Sequence, residues 1–162
     1  AALVNGGIWR PMTLLRRDYD HVPAGRRVIS PATSERMRQL MRIVVTEGTG
    51  RKADVPGLRV GGKTGTADKA GVGGYRSHGL VSTFAAAFPM DAPRYVVVVM
   101  LDDPHGTAET GGFATAGQNA APTAGKIIAR AGPLLGVIPD ERRDIDMTAL
   151  ADTVWKPKTD EE

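Results

Sequence analysis

The residues that follow Lys63-Thr64 limit the fold more than any others: Gly65-Thr66-Ala67-Asp68-Lys69-Ala70-Gly71-Val72-Gly73-Gly74. Each glycine costs about 1 kcal/mol relative to alanine inside a helix, so this run is hostile to one. That decides between two readings of Lys63. Gly57-Leu58-Arg59-Val60-Gly61-Gly62-Lys63-Thr64 satisfies G-x-x-x-x-G-K-[ST], the phosphate-loop pattern, and Val96 to Leu101 followed by Asp102 resembles its Mg²⁺-binding partner strand. A phosphate loop must leave an apolar strand and open a helix whose free N–H groups hold the phosphates. Here Pro56 stands before it, Arg59 and few apolar residues lie ahead of its Gly-Lys-Thr end, and glycines follow it, so a P-loop NTPase is rejected.

The remaining reading takes Lys63-Thr64-Gly65-Thr66 as an edge strand beside a cleft. The Lys63 ammonium supplies a positive field for a substrate carboxylate and can hydrogen-bond a neighbouring catalytic hydroxyl. Thr64 and Thr66, two residues apart, project to one face of an extended strand, where both hydroxyls can donate to that carboxylate. Gly65 points away from them, and its missing side chain lets neighbouring structure approach. The Thr66 backbone N–H is a candidate oxyanion-hole donor, a class of contact whose removal costs roughly 10²–10³ in rate.

Around this strand the pattern predicts α/β (α+β) layers, an antiparallel sheet flanked by helices. Ala1 to Gly7 reads as a helix end with a glycine cap, and Ile8 to Leu15 as a short strand interrupted at Pro11. A helix starts at Pro31, capped by Ser30, and ends at Gly48; Met37, Leu40, Met41 and Val44 form its core-facing stripe. Asp68 to Gly79 reads as a loop. Leu80 to Phe88 and Tyr95 to Leu101 are strands separated by a tight turn, and the unalternating Val96–Leu101 run predicts a central strand buried on both faces. A last helix spans about Asn119 to Leu135, with Ile127, Ile128, Ala131, Leu134 and Leu135 on one side and Pro122 in its first turn. Residues 140–162 form a charged tail, flexible by composition and poorly ordered past Trp155.

The formal charge of +3 hides an asymmetry, because residues 140–162 carry eight acidic and four basic side chains and the body is strongly basic. The arginines of that body are scattered and aromatics make up only 5%, so stacking platforms for bases are scarce and nucleic acid is not expected as a partner. No cysteine is present, which excludes thiolate chemistry and disulfides. His21, His78 and His105 lack metal-ligand spacing, so neither a metal nor a cofactor is expected.

The surrounding stretches make the motif specific. They are Ala2-Leu3-Val4-Asn5-Gly6-Gly7, Val28-Ile29-Ser30-Pro31, Val60-Gly61-Gly62-Lys63-Thr64-Gly65-Thr66-Ala67-Asp68-Lys69, Gly74-Tyr75-Arg76, Ser82-Thr83-Phe84 and Phe88-Pro89. They continue through Pro93-Arg94-Tyr95-Val96-Val97, Leu101-Asp102-Asp103-Pro104, Thr115-Ala116-Gly117 and Ala120-Ala121-Pro122. With these, residues 1–139 resemble the C-terminal portion of the transpeptidase domain of the division-specific class B penicillin-binding protein, the septal peptidoglycan D,D-transpeptidase, in its alphaproteobacterial form. The resemblance implies the serine β-lactamase/transpeptidase fold, with the K-T-G strand beside the cleft. It also implies acyl transfer from a D-alanyl-D-alanine stem peptide, acylation by β-lactams, division-machinery partners and the periplasmic face of the inner membrane.

That family needs a nucleophilic Ser in S-x-x-K and a second S-x-N motif. Ser30, Ser34, Ser77 and Ser82 have Thr33, Met37, Leu80 and Ala85 three residues on, and Ala32, Arg36, Gly79 and Phe84 two residues on. Neither motif occurs. With no initiator Met and no apolar run near 18 residues, the chain is read as a piece of a longer protein, inactive alone. The upstream half of the domain is expected as a partner, present as a separate chain or replaced by self-association. A D,D-carboxypeptidase or β-lactamase shares the K-T-G strand. A non-catalytic module that binds β-lactam or peptidoglycan is the alternative from another class.

Overall fold

The computed structural model describes residues 1–71 and 74–150, without the side chains of Tyr19, Gly71 and 75–78. The chain runs β1 (Ile8–Trp9), β2 (Arg26–Arg27), α1 (Pro31–Thr46), β3 (Gly61–Gly71), β4 (Gly74–Phe88), β5 (Tyr95–Asp102) and α2 (Ala120–Leu134). The strands β3-β4-β5 form one antiparallel sheet in that order, and β1 pairs with β2 as a separate ribbon. This is the expected α+β layering.

Local signals place α1 well. Ser30 Oγ accepts from the Thr33 N–H at 3.0 Å and Pro31 opens the first turn. Its buried face differs from the expected stripe: Ser34, Gln39, Arg42 and Val45 are buried, whereas Leu40 is exposed. Polar anchoring wins here over apolar periodicity. Ser34 Oγ donates to Leu3 O and accepts from the Gly6 N–H, which holds the opening turn of the chain. In α2 the small residues face inward. A Cβ at Gly125 would come within 3.1 Å of Ala53 Cα, and one at Gly132 within 2.9 Å of Leu58 Cδ1. That close approach turns Ile127, Leu134 and Leu135 outward, against expectation, and leaves Ile128 buried.

The glycine-rich stretch after Thr66 is strand rather than loop. Glycine tolerates extended backbone, and β3 and β4 pair from Gly61↔Ala87 to Gly71↔Gly74 with a bulge between Asp68 and Ala70. Val72 and Gly73 lie outside the described residues, as do the tail residues past Leu150. The expected opening strand is shorter, ending at Trp9, just before Pro11. No helix follows Lys63-Thr64, which completes the case against a phosphate loop.

Cross-strand pairs share a sheet face, and the two faces differ. On one face Ser82, Phe84, Ala86 and Phe88 of β4 lie beside Val97 and Val99 of β5. There Phe84, Phe88 and Val99 pack with Val45 of α1 and with Ala120, Ala124 and Ile128 of α2 to form the main core. On the other face Val96, Val98 and Met100 are 47%, 61% and 66% exposed. β5 therefore alternates and sits at an edge of the sheet among the described residues. The expectation of a central strand buried on both faces came from a run of valines, which reports hydrophobicity on both sides without saying what covers them.

Residues 140–150 are packed, unlike a loose tail. Ile145 joins Val4, Ala87 and Met90 in a second small core, and Leu150 is also buried. Long-range polar contacts hold the segment, with Arg42 binding Asp144 and Gln39 binding Asp146 O, and local composition gives no sign of them.

Candidate functional site

Lys63-Thr64-Gly65-Thr66 lies in β3 at the second sheet edge, opposite Ala85, Phe84, Thr83 and Ser82 of β4. Alternation puts Thr64 and Thr66 on the helix-packed face and Lys63 with Gly65 on the open face. The backbone direction follows from the ladder. The C=O groups of Leu80 and Phe88 accept from Asp103 and Arg94 N–H groups on the β5 side, at 2.8 and 3.1 Å. With period two, Ser82 and Phe84 also point their backbone groups at β5. Their opposite numbers Thr66 and Thr64 then turn N–H and C=O off the free edge of β3. Lys63 Nζ donates to Thr64 O there at 2.7 Å.

Two loops grip the two threonine hydroxyls. After α1 ends, Gly48-Thr49-Gly50 brings Thr49 Oγ1 to 2.7 Å from Thr64 Oγ1. The Ala116 N–H donates to Thr66 Oγ1 at 3.0 Å, so that oxygen accepts from the protein and keeps its own proton to give. Buried Ser82 and half-buried Asn119 hold the Ala116 loop by donating to Ala114 O at 2.7 and 2.8 Å. A Cβ at Gly117 would sit 2.7 Å from Thr49 O, so the loops meet through a glycine.

Between them opens a cleft of about 490 Å³, lined by Thr49, Thr64, Thr66 and Thr115 with Arg51, Lys52 and Gln118. Lys52 Nζ donates to Gln118 Oε1 across it. The cleft thus offers hydroxyl donors, two cations nearby and, at its rim, the outward Thr66 N–H. That chemistry suits a small anion or carboxylate better than an apolar ligand. Gly65 lies in open space, where a Cβ would meet only Thr83 O at 3.9 Å. Of the four residues singled out in the sequence, the cleft takes Thr64 and Thr66, while Lys63 and Gly65 face the other way. Sequence reasoning missed Thr49, Lys52 and Thr115. A hydroxyl between two glycines at a helix end was the one local signal for Thr49.

Residues 1–129 match the family model described as penicillin binding protein transpeptidase domain. The chain is 45% identical over 161 residues to a probable peptidoglycan D,D-transpeptidase FtsI of Caulobacter vibrioides, covering 94% of this chain and 27% of that protein. It is also 45% identical over 149 residues to stage V sporulation protein D of Bacillus subtilis, covering 86% of this chain and 22% of that protein. It spans about a quarter of the length of these curated relatives. Among solved structures, the transpeptidase domain of Burkholderia pseudomallei penicillin-binding protein 3 superposes with a TM-score of 0.74 at 36% identity, covering 86% of this chain and 41% of that one. A Mycobacterium penicillin binding protein 3 complexed with ampicillin gives 0.69 at 30% identity, covering 90% and 36%.

Proposed function

The chain belongs to the penicillin-binding protein transpeptidase family, and on that premise we propose that β3 is the substrate strand of a peptidoglycan D,D-transpeptidase. In this reading residues 1–139 are the C-terminal portion of the transpeptidase domain and 140–162 a charged extension. The substrate is a D-alanyl-D-alanine stem peptide. A Ser of an S-x-x-K motif, carried outside these 162 residues, adds to the penultimate carbonyl, the terminal D-alanine leaves, and an amine of a neighbouring strand takes the acyl group. β-Lactams acylate the same Ser.

The outward Thr66 N–H, beside a Thr66 hydroxyl that accepts from the Ala116 N–H and keeps its own proton to give, carries this reading. Thr66 N–H stabilises the oxyanion, and Thr64 and Thr66 hydroxyls bind the leaving residue's carboxylate. Lys63, on the open face, supplies positive field to that carboxylate and a hydrogen bond to a catalytic hydroxyl arriving from that side. The uncrowded surroundings of Gly65 and the exposed Val96, Val98 and Met100 support the same side as the docking face of the upstream half. Septal cross-linking with division-machinery partners, at the periplasmic face of the inner membrane, is the setting we propose from the resemblance to the division-specific class B penicillin-binding protein. Among the described residues no helix is long and apolar enough to cross a membrane.

Fluorescent penicillin tests this. The full-length protein should take a covalent, denaturation-resistant label, and Lys63→Ala should slow labelling by about 10²-fold or more. The 162-residue chain alone should take none. A label on that isolated chain, or a Lys63→Ala rate equal to wild type, would sink the proposal.

A further inference from the structure

The guanidinium of Arg42 joins four separate pieces of chain. Its Nε lies 3.0 Å from both carboxylate oxygens of Asp144, and its Nη2 donates to Asp144 Oδ2 at 2.8 Å. Its Nη1 donates to Asp54 Oδ1 at 2.8 Å and to Val60 O at 2.9 Å. Asp54 follows the 3-10 turn Arg51–Ala53, whose Arg51 and Lys52 wall the cleft. Val60 immediately precedes β3 and stands three residues before Lys63. Arg42 therefore joins helix, cleft wall, strand entry and C-terminal segment through one side chain.

Two more anchors lie on the same stripe of α1, three residues apart each time. Gln39 Nε2 donates to Asp146 O at 2.7 Å and Arg36 Nη1 to Ala149 O at 3.0 Å. On the far side of Val60, buried Arg59 adopts a φ of 50° and donates to Asp91, Gly57 O and Asp140 O. Both ends of the strand entry are thus tied to residues 140–144, beyond the 1–129 that match the family model.

We propose that residues 140–150 form a strap that sets the position of β3, with Asp144 acting through Arg42 as a positioning residue for the substrate strand and the cleft wall. The physical reason is acceptor shortage. A buried guanidinium that loses Asp144 keeps only Asp54 and Val60 O, and must turn or draw in water to satisfy its remaining N–H groups. Either movement loosens Val60 and, with it, the first residues of β3.

The proposal rests on the functional reading above only for its activity arm. In the full-length protein, Asp144→Ala and the milder Asp144→Asn should speed hydrogen exchange at the β4-paired amides of Gly61, Lys63 and Gly65 by roughly 10-fold. The same variants should slow acylation by saturating labelled penicillin about 3- to 10-fold, well below the melting temperature. Asp144→Glu should recover much of both. Ile128→Val, a buried change on α2, should lower the melting temperature and leave both signals at wild-type values. The proposal falls if Asp144→Ala behaves like Ile128→Val, or if exchange quickens while acylation is unchanged. If wild-type protein is not acylated at all, the transpeptidase reading fails instead, and exchange alone then judges the strap.

Discussion

The β3 and β5 edges of the sheet each leave a row of backbone groups with no strand partner among the described residues, yet their side chains are opposite in kind. At β3 the row belongs to Thr64 and Thr66, whose hydroxyls face a threonine-lined cleft, with the Lys63 ammonium on Thr64 O. At β5 it carries Val96, Val98 and Met100, the last two more than half exposed. An unpaired strand edge invites any extended chain. The side chains beside it choose the guest. Hydroxyls and an ammonium favour a small polar ligand with a carboxylate, whereas a valine face favours apolar protein surface.

Substitution of Thr66 should have the largest effect. Proline is tolerated on an edge strand where the lost N–H faces outward, so Thr66→Pro in the full-length protein should delete the donor and leave the sheet paired. Penicillin acylation should then fall roughly 10²–10³-fold, well beyond the fall in Thr66→Ala, which keeps the N–H and loses only the hydroxyl. Equal losses in the two variants would remove the oxyanion role.

At the other edge, Val98→Asp should cost the full-length protein about 2–4 kcal/mol by denaturant titration, through an unpaired charge buried under the docked half. In the isolated chain, where Val98 is 61% exposed, the cost should stay within about 0.5 kcal/mol. The wild-type chain should scatter light above its 17.1 kDa monomer mass, and the variant should not. A valine face that tolerates aspartate equally in both contexts is no docking surface.

The smallest expected effect concerns the turn at the strand entry. Burial pushes the Asp91 carboxyl up, but the hydrogen bond and charge of Arg59, then the charge of Arg143, hold it below the ordinary carboxylate range. A depressed folded-state value means that ionised Asp91 stabilises the fold above the unfolded value of about 4, and that this is lost as pH falls through the folded value. Melting temperature against pH should therefore drop less steeply on the acid side for Asp91→Asn than for wild type. Parallel curves would show that the Arg59–Asp91 pair adds nothing.

What the sequence revealed follows the range of the forces involved. The cap at Ser30, the proline at Pro31 and the alternating faces of Thr64 and Thr66 are local, and each could be read from neighbours. Strand pairing of Gly74–Phe88 was partly hidden, because glycines that exclude a helix do not distinguish a loop from a ladder. The polar face of α1 was hidden altogether: Arg42 is buried only because Asp54, Val60 O and Asp144 converge on it from distant segments. Thr49 stands fifteen residues before Thr64 and reaches it only after the chain turns back. The apolar sides of α1 and α2 misled for the same reason, since Leu134 lies on a face that the described chain leaves open and Leu40 on one that it covers only in part.

A crystal structure of the full-length protein acylated by a penicillin would show directly how β3 meets the acyl group. The acyl carbonyl oxygen should sit within about 2.7–3.1 Å of the Thr66 N, on a Ser outside these 162 residues, with the drug's carboxylate on the Thr64 and Thr66 hydroxyls. An adduct whose carbonyl and carboxylate both lie away from β3 would rule out β3 as the substrate strand.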